Sequence, residues 1–352
     1  MRIVKTENVT SKMKLAKAIY HQENILLNTN CENLYKYKER LLKLGIRHLY
    51  IEDKISEDIE INNLISEETR LKGKIIIKKV FSDISKNQRI NIDEINNFIE
   101  ELTKEILNSQ ELLANLVDIK SYDSYTFDHS VNVAALSLLI GKSLNYNKEQ
   151  LIKLGVGSIL HDIGKIAIPK NILNKTTKLN EHEFKTIKKH PRLGYENIKE
   201  HHEISPISRI VILSHHEKVD GSGYPKGLIG DEIHEFARIV AITDVFDALT
   251  SDRCYRKKWS INKTIDFLIA NANSHFDINI LNTFIQKTPL YPNGTLVKLS
   301  NGAVAVVKEQ NKSFPLRPIV KIIKDSLDNK LKEPYILNLL EVTNITIINE
   351  DE

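Results

Sequence analysis

Cysteine is almost missing from this 352-residue chain: only Cys31 and Cys254 occur, far apart in sequence. No disulfide framework is expected, and the pair fits a reducing compartment. Long hydrophobic runs are missing as well. No stretch approaches the eighteen or so consecutive apolar residues that a membrane helix needs, and the opening MRIVKTENVTSK has no apolar segment of signal-peptide length. A cytoplasmic location is therefore expected, with no membrane as partner. An excess of charge is lacking too: 50 Lys and Arg stand against 46 Asp and Glu, a formal +4, and the lysines are interleaved with acidic residues. That pattern belongs to solvated helix faces and speaks against a nucleic-acid polymer as partner.

What is present is ordinary globular material. Hydrophobic residues at 41% and charged residues at 27% disfavour both disorder and a membrane class, and the length allows two or three domains. Residues 1–65 mix strand-like pieces (KAIY, NILL, HLYIED) with an amphipathic stretch, CENLYKYKERLLKLGI, that stops at Gly45; a small α+β N-terminal module is expected. Residues 66–120 carry helical periodicity and read as a helical connector. From 121 to 288 helices succeed one another with recognisable ends: Asn147 with Gln150 and Asn180 with Glu183 form capping-box patterns. Gly164 follows a helix end, Pro191 marks a break, Ser205 precedes Pro206, and Ser260 and Asp277 read as caps. Residues 289–352 change to short alternating pieces, GTLVKLS, GAVAVVKE and RPIVKII, between turn residues, a small β C-terminal extension. The fold class expected is mainly α, an all-helical middle flanked by these two modules.

Histidine is where chemistry collects. His21, His48, His182, His201, His202, His234 and His275 lack a partner pattern and read as surface or satisfied core residues. The others do not. His129 lies on the apolar stretch HSVNVAALSLLIG, His161 and Asp162 are adjacent at a helix end, His190 precedes Pro191, His215 and His216 end another helix, and Asp244 interrupts RIVAITDVFDAL. A carboxylate buried without a matching charge is costly, and a cationic partner, protonation or a metal resolves the cost. Imidazole nitrogens with carboxylate oxygens suit Fe, Mn or Zn, and the lack of clustered thiolates argues against a structural zinc site. Seven such groups are too many for one ion and suit two, with one carboxylate bridging.

The ordered set His129, His161-Asp162, His190, His215-His216 and Asp244 resembles the HD superfamily of metal-dependent phosphohydrolases. HDIGKIAIPKNIL together with HHEKVDGSGYPKGL narrows the resemblance to the HD-GYP family, bacterial phosphodiesterases of cyclic di-GMP. DVFDALTSDRCYR continues it, so that it covers about 121–288. The resemblance implies that His129, His161, Asp162 and Asp244 hold one divalent ion and that Asp162, His190, His215 and His216 hold the other. Asp162 is then the bridge. Fe or Mn is implied, and Zn also accepts these ligands. Two cations roughly 3.5 to 4 Å apart can share a hydroxide and stabilise both the attacking and the leaving oxygen at phosphorus.

Asp162 and Lys165 are thereby read as catalytic, Lys165 near the scissile phosphate. Arg253 and Arg256 match a basic pair that grips phosphate, Asp247 a position near the substrate, and Gly223, Tyr224 and Pro225 a loop facing it. Glu217 and Asp220 either shape that loop or touch substrate. The implied reaction is hydrolysis of cyclic di-GMP to pGpG, with onward cleavage to GMP left open. The alternatives are a non-catalytic cyclic dinucleotide receptor, or a phosphodiesterase for another cyclic dinucleotide.

Three positions depart from the family pattern. Where some members place a glutamate for a third metal this chain has Tyr125, so two metals are expected; Cys254 stands where many relatives have proline, and Thr243 where alanine is frequent. The terminal modules resemble a small domain that often precedes this catalytic domain and a common C-terminal extension. A protein partner or a homodimer through them is open.

Overall fold

The computed structural model describes residues 1–352 except 22–23, 62–63, 87, 109–124, 252–257, 288–289, 312–313 and 351–352. The chain begins with short strands, β1 (Arg2–Lys5), β2 (Lys14–Leu15), β3 (Ile19–His21) and β4 (Asn24–Leu27), followed by α1 (Lys38–Lys43) and β5 (His48–Glu52). β5 lies between β1 and β2 in an antiparallel sheet, while β3 and β4 pair separately. Leu34, Leu41 and Ile46 cover the apolar side of that sheet. The amphipathic stretch ends where expected, at Gly45 with φ +76°, a left-handed turn that glycine adopts without steric cost.

The helices follow in order: α2 (Glu67–Ser85), α3 (Ile92–Asn108), α4 (Tyr125–Ser143), α5 (Lys148–Ile159), α6 (Lys170–Leu173), α7 (Glu181–Ile187), α8 (His190–Ile198), α9 (Pro206–Ser214), α10 (Glu235–Thr250), α11 (Ile261–Ala270) and α12 (Ile278–Lys287). The caps read from sequence are in place. Asn147 with Gln150 and Asn180 with Glu183 close reciprocal boxes, and the Ser205 and Ser260 hydroxyls accept from the first turns of α9 and α11. Asp277 Oδ1 accepts from the backbone N–H groups of Asn279 and Ile280. Pro191 occupies the first turn of α8, where its missing N–H costs nothing.

Gly164 does something other than end a helix. It sits in a 3₁₀ turn, Ile163–Ala167, where a Cβ would lie 2.0 Å from the His190 carbonyl oxygen and 2.4 Å from the Gly194 nitrogen. Only glycine lets that turn touch the start of α8.

One core joins α2 and α3 to α4, α5 and α9 through residues such as Ile77, Phe98, Leu102, Leu138 and Ile212. α4 is apolar on nearly every side because it lies at the centre of this packing. A second core joins α10, α11 and α12 to an antiparallel sheet of β6 (Leu296–Leu299), β7 (Val304–Glu309), β8 (Ile319–Lys324), β9 (Lys330–Asn338) and β10 (Ile347–Glu350), ordered β10-β6-β7-β8-β9. Strand alternation sends Val297, Ala305, Val307 and Val320 toward the helices, while Val304, Val306 and Ile323 face Ile59. There Asp58 pairs with Lys308 at 3.0 Å and Lys321 at 2.8 Å, which drag its carboxyl down to about 2.

The fold class is thus mainly α, with small sheets at both ends. The expected divisions near 120 and 288 fall in or beside undescribed stretches, and residues on either side of each share a core. Among the described residues no helix is long and apolar enough to cross a membrane.

Candidate metal centre

Helix ends converge on one buried point. The mid-helix residues His129 on α4 and Asp244 on α10 face it, the turn after α5 brings His161 and Asp162, α8 opens with His190, and α9 closes with His215 and His216. His129, His161, Asp162, His190, His215 and Asp244 are buried and His216 is partly so.

Three of these rings are aimed by the same local device. Nδ1 of His161, His190 and His215 lies 2.7, 2.8 and 2.9 Å from the carbonyl oxygens of Ser158, Ile187 and Ile212, each three residues earlier. Those carbonyls belong to the last turns of α5, α7 and α9, where the helix leaves acceptors unsatisfied. A carbonyl only accepts, so Nδ1 must carry the proton and Nε2 keeps its lone pair for the centre. In His129 the acceptor is a side chain instead: Asp247 Oδ2, at 2.7 Å from Nδ1.

Between the rings lies Asp162, with its two oxygens divided. Oδ1 is 3.3 Å from His190 Nε2, whereas Oδ2 is 3.3 Å from His161 Nε2 and 3.7 Å from His129 Nε2. Asp244 Oδ1 completes the second side at 3.1 Å from His129 Nε2 and 3.9 Å from His161 Nε2. Potential ligand atoms of Asp162, His190, His215 and His216 fall within 4.8 Å of one another, as do those of His129, His161 and Asp162. All seven residues singled out from the sequence are therefore brought together.

The electrostatics favour cations. Burial pushes His190 down to about 3 and His216 down to about 4, and holds His215 well below the imidazole range; these rings are neutral at pH 7. Burial would raise Asp162 and Asp244, but Lys165, His161 and His190 around the first and His129, His161 and His216 around the second outweigh it. Both carboxyls are held well below the usual range. Burial also lowers His129, yet hydrogen bonds to Asp244 and Asp247 win and raise it. Lys165 Nζ donates to Asp162 Oδ2 at 2.5 Å.

Two further atoms point the same way. His161 Nε2 and Asp162 Oδ1 are buried without a hydrogen-bond partner, a cost of about 1–3 kcal/mol each that a metal ion removes. Nitrogen and carboxylate donors of this kind fit Fe, Mn or Zn.

The loop after α9 forms the exposed wall. The Tyr224 ring stacks on His216, centroids 4.8 Å apart at 25°, and burial with the nearby Asp244 and Asp162 charges raises its hydroxyl. Pro225 beside it is exposed and joined by a cis peptide bond. Lys188 Nζ stands 5.1 Å from the Tyr224 ring and 4.9 Å from that of Phe184. Gly223 is pressed against its own loop: a Cβ would lie 2.4 Å from Lys218 N and 2.5 Å from Glu217 Cα. Glu217, left open on sequence grounds, shapes the loop. Its buried carboxylate accepts from the backbone N–H groups of Lys226, Gly227 and Leu228 at 2.7, 3.0 and 3.1 Å. Asp220, exposed, accepts from Ser222 N at 2.9 Å.

Asp247, expected beside substrate, has its Oδ1 against Asn132 Nδ2 at 2.8 Å and its Oδ2 against His129. Thr243 is satisfied by Ser137 at 2.9 Å between α4 and α10. Arg253, Arg256 and Cys254 lie outside the described residues, as does the Tyr125 side chain. Asn132, Lys188 and the three carbonyls are additions that the sequence pattern did not single out. Of these only Asn132, a polar residue one turn after His129 in an apolar run, carried a usable signal.

A buried histidine–carboxylate centre at converging helix ends defines the class. Residues 101–280 match the family model for the HD domain, and 296–351 match that of a KOW domain associated with HD domain. The chain is 36% identical over 251 residues to the cyclic di-GMP phosphodiesterase PA4108 of Pseudomonas aeruginosa, covering 71% of this chain and 60% of that protein. It is also 36% identical over 189 residues to 3′3′-cGAMP-specific phosphodiesterase 1 of Vibrio cholerae, covering 53% of this chain and 43% of that protein. The chain thus spans less than two thirds of either relative. Among solved structures, Bd1817, an HDG"Y"P protein from Bdellovibrio bacteriovorus, shares the fold with a TM-score of 0.53 at 16% identity, covering 80% of this chain and 97% of that one. The chain belongs to the HD-domain family, in its HD-GYP branch.

Proposed function

We propose that this chain is a metal-dependent phosphodiesterase that opens cyclic di-GMP to linear pGpG. The observation that carries the reading is the Asp162 carboxylate, which turns Oδ1 toward His190 and Oδ2 toward His129 and His161. In this reading His129, His161, Asp162 and Asp244 would hold one divalent ion, and Asp162, His190, His215 and His216 would hold a second. When bound, such ions acidify water to a pKa of about 7 and neutralise charge on phosphoryl oxygens.

The protein's own groups do the rest. The backbone carbonyls and Asp247 keep the Nε2 lone pairs of His161, His190, His215 and His129 aimed inward, and burial keeps His190, His215 and His216 unprotonated. Lys165, already on Asp162, keeps N–H donors free for a non-bridging phosphate oxygen. Tyr224 and Pro225 offer an apolar surface to a guanine, with the Lys188 ammonium over the Tyr224 ring. Arg253 and Arg256 are assigned to the second phosphate. Asp247 is assigned to holding His129, because both its oxygens are engaged. The divisions 1–65, 66–120, 121–288 and 289–352 are kept as module, connector, catalytic unit and extension, with the two ends open to a protein partner or a second copy. A cytoplasmic setting fits the cysteine-poor sequence.

Anaerobic incubation of Fe(II)- or Mn(II)-loaded protein with cyclic di-GMP, followed by chromatography, should yield pGpG. Unchanged substrate with both metals would overturn the reading and leave a receptor role. A second reading, 3′3′-cGAMP as the preferred substrate, is favoured by the Vibrio relative. Turnover measured side by side on the two dinucleotides decides between them.

A further inference from the structure

We infer that Arg70 is a positioning residue for the metal centre, acting from α2 through Asn132 and Asp247 on the ring of His129. The relay presupposes the metal centre proposed above. Its links are explicit. Arg70 Nη1 donates to Asn132 Oδ1 at 2.7 Å, Asn132 Nδ2 donates to Asp247 Oδ1 at 2.8 Å, and Asp247 Oδ2 lies 2.7 Å from His129 Nδ1. Four helical side chains from α2, α4 and α10 are joined, and all four are buried.

Helical spacing explains how the links meet. Asn132 follows His129 by three residues, and Asp247 follows Asp244 by three. Each of α4 and α10 therefore presents one residue of the metal set and one of the relay on a single face. On α2 the same interval separates Arg70 from Gly73, whose missing Cβ would lie 2.4 Å from Phe98 Cζ and 2.9 Å from Val131 Cγ2. Glycine there lets α2 approach α4 closely enough for the guanidinium to reach Asn132.

The polarity of the relay is set by its ends. A guanidinium only donates, so the Asn132 oxygen faces Arg70 and its amide nitrogen faces Asp247. The carboxamide dipole carries the positive potential of Arg70 toward the Asp247 carboxylate, where burial makes it felt strongly. Asp247 is thereby held by one oxygen and accepts with the other. That fixes the His129 tautomer and points Nε2 at Asp244 Oδ1, 3.1 Å away. A helix that precedes residue 121 thus contributes to the centre without touching it.

Mn(II) titration followed by electron paramagnetic resonance tests the relay on the full chain. Arg70→Met should weaken Mn(II) binding by about 10–100-fold, the usual scale for a partner behind a metal-binding histidine. Arg70→Lys should recover part of the loss. In an Asp247→Asn background Arg70→Met should add little, since the chain is already cut. Ile77→Val, buried on the same helix, serves as the control: it should lower the melting temperature of metal-free protein and leave Mn(II) affinity alone. Wild-type affinity in Arg70→Met, or losses that simply add in the double variant, would overturn the relay alone. Wild-type protein that takes up neither Mn(II) nor Fe(II) would overturn the metal centre and the relay with it. Should Arg70→Met not fold, Asn132→Leu with wild-type affinity would equally sink the relay.

Discussion

His190, His215 and His216 are imidazoles that the fold keeps neutral. Burial is the first cause in each, with His190 down to about 3 and His216 down to about 4 from an ordinary 6.5. Below 6.5 the unfolded chain binds protons that the folded chain refuses, so stability is fully present above that value and is lost as pH falls toward 4. The depressed Asp162 and Asp244 act in the same direction further into acid. His129, raised, acts the other way, its contribution fading as pH rises through its folded value. Three rings outweigh one in the acid window. Urea unfolding of chelator-treated protein should therefore show a lower midpoint at pH 5 than at pH 7.5, and a midpoint that rises on acidification would contradict these neutral rings. The seven histidines and aspartates were legible because their residue types suit a metal and sit at helix ends or interrupt apolar runs. Ser158, Ile187 and Ile212 were not, because their role lies in a backbone carbonyl that every residue has.

Elements meet at the centre through their ends, and glycine decides how closely. The 3₁₀ turn carrying Lys165 abuts the start of α8 at Gly164. A methyl group there would collide with backbone, which has no rotamer to give, so Gly164→Ala must move α8 and His190 away from Asp162. Its cost should be about 3 kcal/mol or more, at the upper end of overpacking. Chemical denaturation measures that, and wild-type stability in the variant would show that the two elements are not in contact. The caps at Asn147, Asn180, Ser205, Ser260 and Asp277 were readable because a cap is a local exchange between side chain and backbone. The role of Gly164 was not, since its neighbours, His190 and Gly194, are distant in sequence. The Gly-Tyr-Pro loop is similar: Glu217 gathers three backbone donors from nine to eleven residues ahead, a span that local patterns do not encode.

Across the whole molecule, the helices around the centre share a core with the C-terminal sheet, and that sheet touches the N-terminal module. Ile3 N donates to the Gly294 oxygen at 2.9 Å, and Asp58 reaches two lysines of the C-terminal sheet. Periodicity changes twice along the sequence, near 65 and near 288, and hence the mainly helical class with a sheet-forming end was legible. It did not show that α2 and α3 share a core with α4 and α5, because a connector and a core helix have the same apolar stripe. The proposed function requires this architecture to hold a pair of metal ions bridged by Asp162. Metal analysis of anaerobically purified wild-type and Asp162→Ala protein tests that most directly. About two ions per chain are expected in the first and loss of both in the second, with the fold retained by circular dichroism. A folded Asp162→Ala protein that keeps the wild-type metal content would contradict it.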